Sequence, residues 1–251
     1  MYPVLFRLGG LEITSFGVML AVAALVGLWL FRRELPRSGL SESAVDAAIA
    51  GVIGGMAGAK LLWVFEHVRE EPFLDLVLSR GGMSWFGGFA GGMLAGLAVM
   101  RWKRLPKIAV LAAATPALAI GHAIGRIGCF LVGDDYGRPS RLPWAVAFPQ
   151  GLPPTTVPVH PTQLYEMAAL VALAWLLWRW RRQERADRFV LGGYLLLAGA
   201  IRFLIEFLRV DVRVVGILSV AHLASLLAMA LGIVFLGSSD HGTPRDAVAG
   251  R

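Results

Sequence analysis

The sequence predicts an all-α polytopic membrane protein, a bundle of seven transmembrane helices with a small head on its outer face. Hydrophobic residues make up 57% of the 251 residues and charged residues only 16%, whereas a soluble domain holds about 25% charged residues. Seven apolar stretches are long enough to cross a hydrocarbon core of about 30 Å. A further stretch, residues 126–162, is rich in proline and is predicted to form the head.

The predicted spans fill most of the chain. They lie near 13–31, 44–66, 83–100, 107–125, 163–180, 189–208 and 217–236. We interpret residues 1–236 as a single transmembrane domain and residues 237–251 as a cytoplasmic tail. The first stretch lacks a cleavage-site pattern and is expected to be a retained span rather than a signal peptide. Glycines four residues apart, such as Gly87 and Gly91, are expected to let helix backbones approach closely.

Basic residues between the spans predict the orientation of the chain. Lys and Arg are more numerous after the first, third and fifth spans and in the tail than in the other connecting segments. Because positively charged loops stay in the cytoplasm, the N-terminus is expected outside and the C-terminus in the cytoplasm. The same rule accounts for the net charge of +7, so no nucleic-acid partner is expected. One cysteine, Cys129, excludes an internal disulfide.

The first of three polar motifs, residues 125–138, begins where the fourth predicted span ends. It places Arg126 between glycines and follows it with two acidic residues. A guanidinium beside exposed backbone N–H groups suits a phosphate, because its fork pairs with two oxygens at once. The alternative is an arginine that extends to the lipid headgroups. In the head that follows, Trp144 and Phe148 are expected to be anchors at the membrane interface.

The second motif, residues 160–166, predicts the start of a helix. Pro161 suits the first helical position, so His160 is expected at the cap, beside unpaired N–H groups that attract an anion. Gln163 and Glu166 are three residues apart and are expected to share a face. Capping within a buried polar network is the alternative interpretation.

The third motif lies within the sixth predicted span. Arg202 and Glu206 are spaced i, i+4, and Glu206 and Arg209 are spaced i, i+3. Ionisable groups at this depth are costly and mark function, although a neutralised structural ion pair is the alternative. Two arginines, a histidine and two carboxylates in the outer half of a bundle suit an anionic lipid headgroup better than an ion pathway.

These motifs resemble those of the bacterial prolipoprotein diacylglyceryl transferase family. The His-Pro-x-Gln-Leu-Tyr-Glu motif of the family matches at every fixed position of residues 160–166. The family also has a Gly-Arg-x-Gly-Asn-Phe run, followed by an acid and a glycine, and an Arg-Phe-x-x-Glu-x-x-Arg motif. The matching residues are Gly125, Arg126, Gly128, Phe130, Asp134 and Gly137 for the run, and Arg202, Phe203, Glu206 and Arg209 for the motif.

The resemblance implies the reaction. The diacylglyceryl group of phosphatidylglycerol would move to the lipobox cysteine thiol in the signal peptide of a preprolipoprotein, leaving a thioether and releasing glycerol phosphate. This is the first step of bacterial lipoprotein maturation. It implies the bacterial inner (cytoplasmic) membrane and no cofactor or metal.

The resemblance also implies the site residues. Arg126 and Arg202 are candidates for a phosphate clamp, which Glu166 and Glu206 would hold. The expected catalytic residues are Arg126, Arg202, Glu206 and His160. The expected lipid-binding residues are Arg126, Gly128, Asp134, Gly137, Gln163, Tyr165, Glu166 and Arg209.

Two departures from the family bear on the chemistry. Phe86 stands where some members carry a histidine proposed as the base, and a phenyl ring cannot take a proton. Either that histidine is not required, or another group such as His160 replaces it, or this homologue has another acceptor or altered chemistry. A non-catalytic protein that binds anionic lipids is a further alternative. Cys129 stands where many members have Asn, and it is not expected to be a nucleophile.

Overall fold

The structure is a computed structural model, and it describes residues 4–8, 11–70, 72–79, 82–210 and 213–238. Most of these residues are helical. The helices are α1 (Ser15–Glu34), α2 (Ala44–His67), α3 (Phe73–Leu78), α4 (Trp85–Trp102), α5 (Lys107–Val132), α6 (Thr162–Arg182), α7 (Asp187–Glu206) and α8 (Val220–Gly237). Each of the seven predicted spans overlaps one of the seven long helices among the described residues. Residues 239–251 of the predicted tail lie outside the described residues.

Five of the described helices are long and apolar enough to cross a membrane, namely α1, α2, α5, α7 and α8. Large apolar side chains such as Leu25, Phe65 and Leu227 are exposed on them, as expected for surfaces that face lipid tails. Helix α4 is diluted by glycine, and α6 carries Glu166 near its start and three arginines in its last turn. The chain is therefore a multi-pass membrane protein, and the count of seven spans stays a prediction.

The prediction of an all-α fold missed three short antiparallel hairpins. They pair β1 (Val4–Leu8) with β2 (Leu11–Thr14), β3 (Val146–Phe148) with β4 (Thr155–Val159), and β5 (Arg213–Val215) with β6 (Leu218–Ser219). The last hairpin turns through two residues, and Gly216 there has φ 56°, a value that such turns require. Strands of two to five residues carry too few alternating positions to stand out between helices.

The head is shorter than the predicted 126–162. Helix α5 continues to Val132, because the residues after Arg126 remain largely apolar and Arg126 itself is paired with carboxylates. The head therefore comprises residues 133–161. The expectation that Phe148 anchors the head at the membrane interface is wrong, because its side chain is fully buried against Phe130 and Tyr136. Trp144 is exposed, as an interface anchor requires.

The described residues belong to two compact units. Met1–Leu30 and Leu111–Arg251 belong to the first, and Phe31–Val110 to the second. In the second unit α2 and α4 pack backbone to backbone. A Cβ atom on Gly58 would lie 2.3 Å from the carbonyl oxygen of Gly87, and one on Gly91 would lie 2.3 Å from that of Gly54. This confirms the predicted close approach at small residues. In the first unit α7 packs against both α6 and α8.

Candidate functional site

Six charged side chains of the first unit form a closed ring in which arginines and carboxylates alternate. We call it the arginine–carboxylate ring. Its members, in order, are Arg126, Glu166, Arg202, Glu206, Arg209 and Asp135, which pairs with Arg126 again. The successive N–O distances are 3.0, 3.8, 2.7, 3.5, 2.6 and 2.8 Å. Three positive and three negative charges balance, and this pairing compensates for removing them from water.

The ends of four helices bring these side chains together. Arg126 lies near the end of α5 and Glu166 near the start of α6. Arg202 and Glu206 occupy the last two turns of α7, and their i, i+4 spacing places them on one face. The start of helix α8 also lies beside Glu206, and Ser219 is the N-cap residue of this helix. Its N-cap hydroxyl donates a hydrogen bond to Oε1 of Glu206 at 2.5 Å.

The ring combines a buried part with an accessible part. The side chains of Glu206 and Glu166 are 0% and 2% exposed, and that of Arg209 is 8% exposed. Arg202 is 24% exposed and Asp135 is 38% exposed. A ligand can therefore reach an arginine and a carboxylate of the ring, while the two glutamates stay covered by protein.

Asp135 lies in a turn that three side chains fix. Thr162 Oγ1 donates to its carbonyl oxygen at 2.8 Å, and Arg209 donates to the same oxygen at 2.9 Å. Gln163 Nε2 donates to the carbonyl oxygen of Asp134 at 2.5 Å. Asp135 has φ 58°, a left-handed conformation that Asp tolerates better than most residues do.

The pKa values of the two neighbouring carboxyls in this turn are shifted in opposite directions. Burial raises the pKa of Asp134, and the negative charge of Asp135 raises it further. Burial also raises the pKa of Asp135, but the hydrogen bonds and charges of Arg209 and Arg126 outweigh it and lower the value to about 2. Asp135 is therefore ionised at neutral pH, as its place between two arginines requires.

The structure brings Arg126, Glu166, Arg202, Glu206 and Arg209 together, as the motifs predicted. His160 lies outside the ring, where its Nδ1 atom is 3.4 Å from the hydroxyl of Tyr165. The prediction that His160 caps α6 was wrong by one residue. Pro161 has φ −75° and ψ 68°, which is not helical, so Pro161 is the cap and the helix begins at Thr162.

Three other predicted lipid-binding residues have packing or scaffold contacts in the structure. Gly128 packs against α1, where an added Cβ atom would lie 3.1 Å from Cβ of Met19. A Cβ atom on Gly137 would lie 2.7 Å from the carbonyl oxygen of Leu208. The backbone of Gly137 donates to the carbonyl oxygen of His160 at 2.9 Å. Asp134 contributes its backbone carbonyl to Gln163. The role of these residues in lipid binding stays a prediction.

Sequence reasoning did not assign a role to Asp135 or to Ser219. The family motif contains one acid, which aligned with Asp134, while the carboxylate in the ring belongs to the next residue. Ser219 ends a hairpin that the sequence did not reveal. The one available signal was local: a polar Ser before the apolar run of α8 is a helix N-cap pattern.

His122 also contacts the ring. It lies one turn before Arg126 on α5, and its Nε2 atom is 3.5 Å from Oε1 of Glu166. Its side chain is partly exposed. The structure therefore places His122 directly against Glu166.

A group of possible metal ligands lies at the edge of the ring. Ligand atoms of Cys129, Asp134 and Asp135 lie within 4.8 Å of one another. Asp135 already pairs with two guanidinium groups, Arg126 and Arg209, whose positive charges oppose a further cation there. The arrangement of charges thus favours an anion next to the arginines over a metal ion at this group.

Comparison with known proteins agrees with the motifs. The sequence model described as prolipoprotein diacylglyceryl transferase matches residues 3–237. A phosphatidylglycerol–prolipoprotein diacylglyceryl transferase of Clostridium tetani is 34% identical over 93% of this chain and 96% of the relative. Proteins of the same name from Geobacter sulfurreducens and Methylobacillus flagellatus are 34% and 33% identical, over 92% and 86% of this chain and 92% and 87% of those relatives.

Proposed function

This chain belongs to the prolipoprotein diacylglyceryl transferase family, and from that membership we propose that its arginine–carboxylate ring binds the phosphate of phosphatidylglycerol during transfer. The enzyme is a phosphatidylglycerol–prolipoprotein diacylglyceryl transferase of lipoprotein biosynthesis. One observation carries the proposal for the site: Arg126 and Arg202, from two different helices, both contact Oε2 of Glu166. Glu166 therefore presents two guanidinium groups side by side, a pairing that suits the oxygens of a phosphate.

The reaction exchanges one bond at the glycerol of the lipid. The sulfur of the acceptor cysteine attacks the phosphate-bearing carbon of the diacylated glycerol, so a C–S bond forms there and the C–O bond from that carbon to the phosphate breaks. The leaving phosphate keeps the electron pair of the broken bond. The proton of the thiol is transferred to the released glycerol phosphate, which balances the step. Arg126 and Arg202 stabilise the charge that grows on the leaving phosphate oxygen, which is their catalytic contribution.

Glu166 and Glu206 hold the two clamp arginines in place. Glu206 contacts Arg202 at 2.7 Å and Arg209 at 3.5 Å, and Ser219 fixes its other oxygen. Because both glutamates are buried, water does not compete with the arginines for their oxygens, and the guanidinium groups stay oriented. We assign His160, Gln163 and Tyr165 to the surroundings of the bound lipid, in keeping with their places beside the turn and the head.

We propose that seven helices cross the membrane as a single domain, residues 1–236, with α4 and α6 added to the five most apolar ones. At 1.5 Å per residue, their 18 and 21 residues reach roughly 27 and 31 Å, close to the thickness of the hydrocarbon core. The excess of basic residues supports an N-terminus outside the bacterial inner membrane and a cytoplasmic C-terminus. The ring then lies toward the outer face, where signal peptides expose their cysteine.

A transfer assay with purified protein tests the function. Phosphatidylglycerol labelled separately in an acyl chain and in the headgroup glycerol is mixed with a lipobox peptide, and with the same peptide carrying Ser for Cys as control. The proposal predicts acyl label on the Cys peptide alone and headgroup label in water-soluble glycerol phosphate. Lipid binding without transfer would favour the non-catalytic alternative. Transfer to the Ser peptide would favour the alternative of a different acceptor, to which Phe86 in place of the family histidine points.

A further inference from the structure

We propose that Asp135 is an internal counter-ion whose carboxylate occupies the position of the substrate phosphate between Arg126 and Arg209 and is displaced when the lipid binds. This inference rests on the proposed function of the ring. It goes beyond the clamp, because it assigns Arg209 a phosphate contact and gives Asp135 a competing role.

The geometry between the two arginines is that of a bound anion. Arg126 contacts Oδ2 of Asp135 at 2.8 Å, and Arg209 contacts Oδ1 at 2.6 Å. Each guanidinium therefore pairs with a different one of the two oxygens that are bonded to the carboxyl carbon of Asp135. The two non-bridging oxygens of a phosphodiester offer the same arrangement with the same sign of charge, so a phosphate can replace the carboxylate without moving the arginines.

Among the three ring carboxylates, Asp135 alone is accessible enough to be replaced. Its side chain is 38% exposed, whereas Glu166 and Glu206 are 2% and 0% exposed. Asp135 also lies in the turn after α5, while both glutamates lie within helices.

The turn does not depend on the carboxylate for its own position. The carbonyl oxygen of Asp135 accepts hydrogen bonds from Thr162 and Arg209, and the carbonyl oxygen of Asp134 accepts one from Gln163. A rotation of the Asp135 side chain away from the arginines would leave these three backbone anchors in place. The exchange thus requires a change of rotamer rather than a rearrangement of the head.

The exchange of carboxylate for phosphate keeps the ring neutral both with and without the lipid. With Asp135 in place the ring is neutral, which makes the empty site stable in a poorly hydrated environment. When a phosphate takes the place of the carboxylate, the ring again holds three negative groups against three arginines. Return of the carboxylate would help the charged product, glycerol phosphate, to leave.

The inference can be tested by direct binding of glycerol phosphate to the detergent-solubilised protein, measured by titration calorimetry. Asp135→Asn and Asp135→Gly both remove the charge, and both residue types tolerate the positive φ of this position. Since the competing anion is gone, each variant should bind glycerol phosphate at least about fivefold more tightly than wild type. Asp75→Asn, an equal change of charge at an exposed residue of α3, should leave the affinity unchanged.

Other outcomes have distinct meanings. Unchanged or weaker binding in a folded Asp135 variant would overturn the inference and make Asp135 a residue that only positions the arginines. The melting temperature of each variant establishes that it is folded, and either of the two is sufficient. Absence of transfer by the wild-type enzyme would overturn the proposed function instead, because the binding measurement does not depend on turnover.

Discussion

Nε of Arg126 lies 3.0 Å from Oε2 of Glu166, although the whole head, residues 133–161, separates their helices along the chain. This pair joins the end of α5 to the start of α6. The glutamate is 2% exposed and the arginine 11% exposed, so both charges rely on ion pairs within the ring, and this contact is the shorter of the two that Glu166 makes with ring arginines. The pair therefore links the folding of the head to the assembly of the site.

Arg202 and Glu206 are expected to act as a coupled pair. In a double-mutant cycle with Arg202→Gln and Glu206→Gln, the free energy of unfolding in detergent should show a coupling of at least about 2 kcal/mol, because either single change leaves a charge buried without its 2.7 Å partner. The exposed pair of Arg32 and Glu42 is the control and should couple by less than about 1 kcal/mol. If the two buried changes are simply additive, the pair is not a unit.

Asp135 should make stability depend on pH in the acid range. Its pKa is lowered to about 2, so its contribution is complete above the ordinary aspartate pKa of about 3.9 and disappears as pH falls toward 2. The melting temperature of wild type should exceed that of Asp135→Asn by a constant amount between pH 5 and 7. We expect this difference to shrink below about pH 4. A difference that persists unchanged down to the lowest accessible pH would show that the ion pairs are not its source.

The sequence predicted most of the charged residues that belong to the site, but it did not predict which ion pairs join the three motifs. Helical spacing alone predicted that Arg202 and Glu206 share a face, whereas Arg209 lies beyond the end of α7 at Glu206. Asp135 rather than Asp134 pairs with Arg126 because the left-handed conformation of Asp135 turns its carboxyl toward the arginines. Periodicity does not encode such a turn. For the same reason the sequence predicts too early an end for α5: Arg126 resembles a helix end unless its partner Glu166, which lies beyond the head, is considered.

The histidines test how the thiol loses its proton. A free thiol with a pKa of about 8.5 is a few per cent thiolate at pH 7, and two nearby arginines favour the anion. We therefore expect that none of His122→Gln, His160→Gln and His222→Gln abolishes transfer or shifts its pH profile.

His122 and His160 are the sharpest cases. His122 lies against Glu166, and His160 lies beside Tyr165. Activity lost at neutral pH and restored at high pH in either variant would identify that residue as the base and refute the expectation. Loss at every pH in a folded His160→Gln protein would mean that His160 does more than accept a proton.

The proposed topology predicts which side of the membrane each loop occupies. Thr156→Cys lies in the head and Gln183→Cys in the connection between α6 and α7, and both positions are exposed. A membrane-impermeant thiol reagent applied to intact spheroplasts should label Thr156→Cys, but should label Gln183→Cys only after lysis. Wild type, whose cysteine is buried, is the control. The reverse pattern of labelling would contradict an N-terminus outside the membrane.

The central claim, that the arginine–carboxylate ring is the site of transfer, is tested most directly by Arg126→Lys in the purified transfer assay. Lysine keeps the charge but loses the fork, which in Arg126 reaches Glu166 through Nε and Asp135 through a terminal nitrogen. Transfer should fall by about 10²–10³-fold, while Arg179→Lys, at an exposed arginine of α6, should retain wild-type activity. Near-normal transfer by a folded Arg126→Lys enzyme would contradict the account.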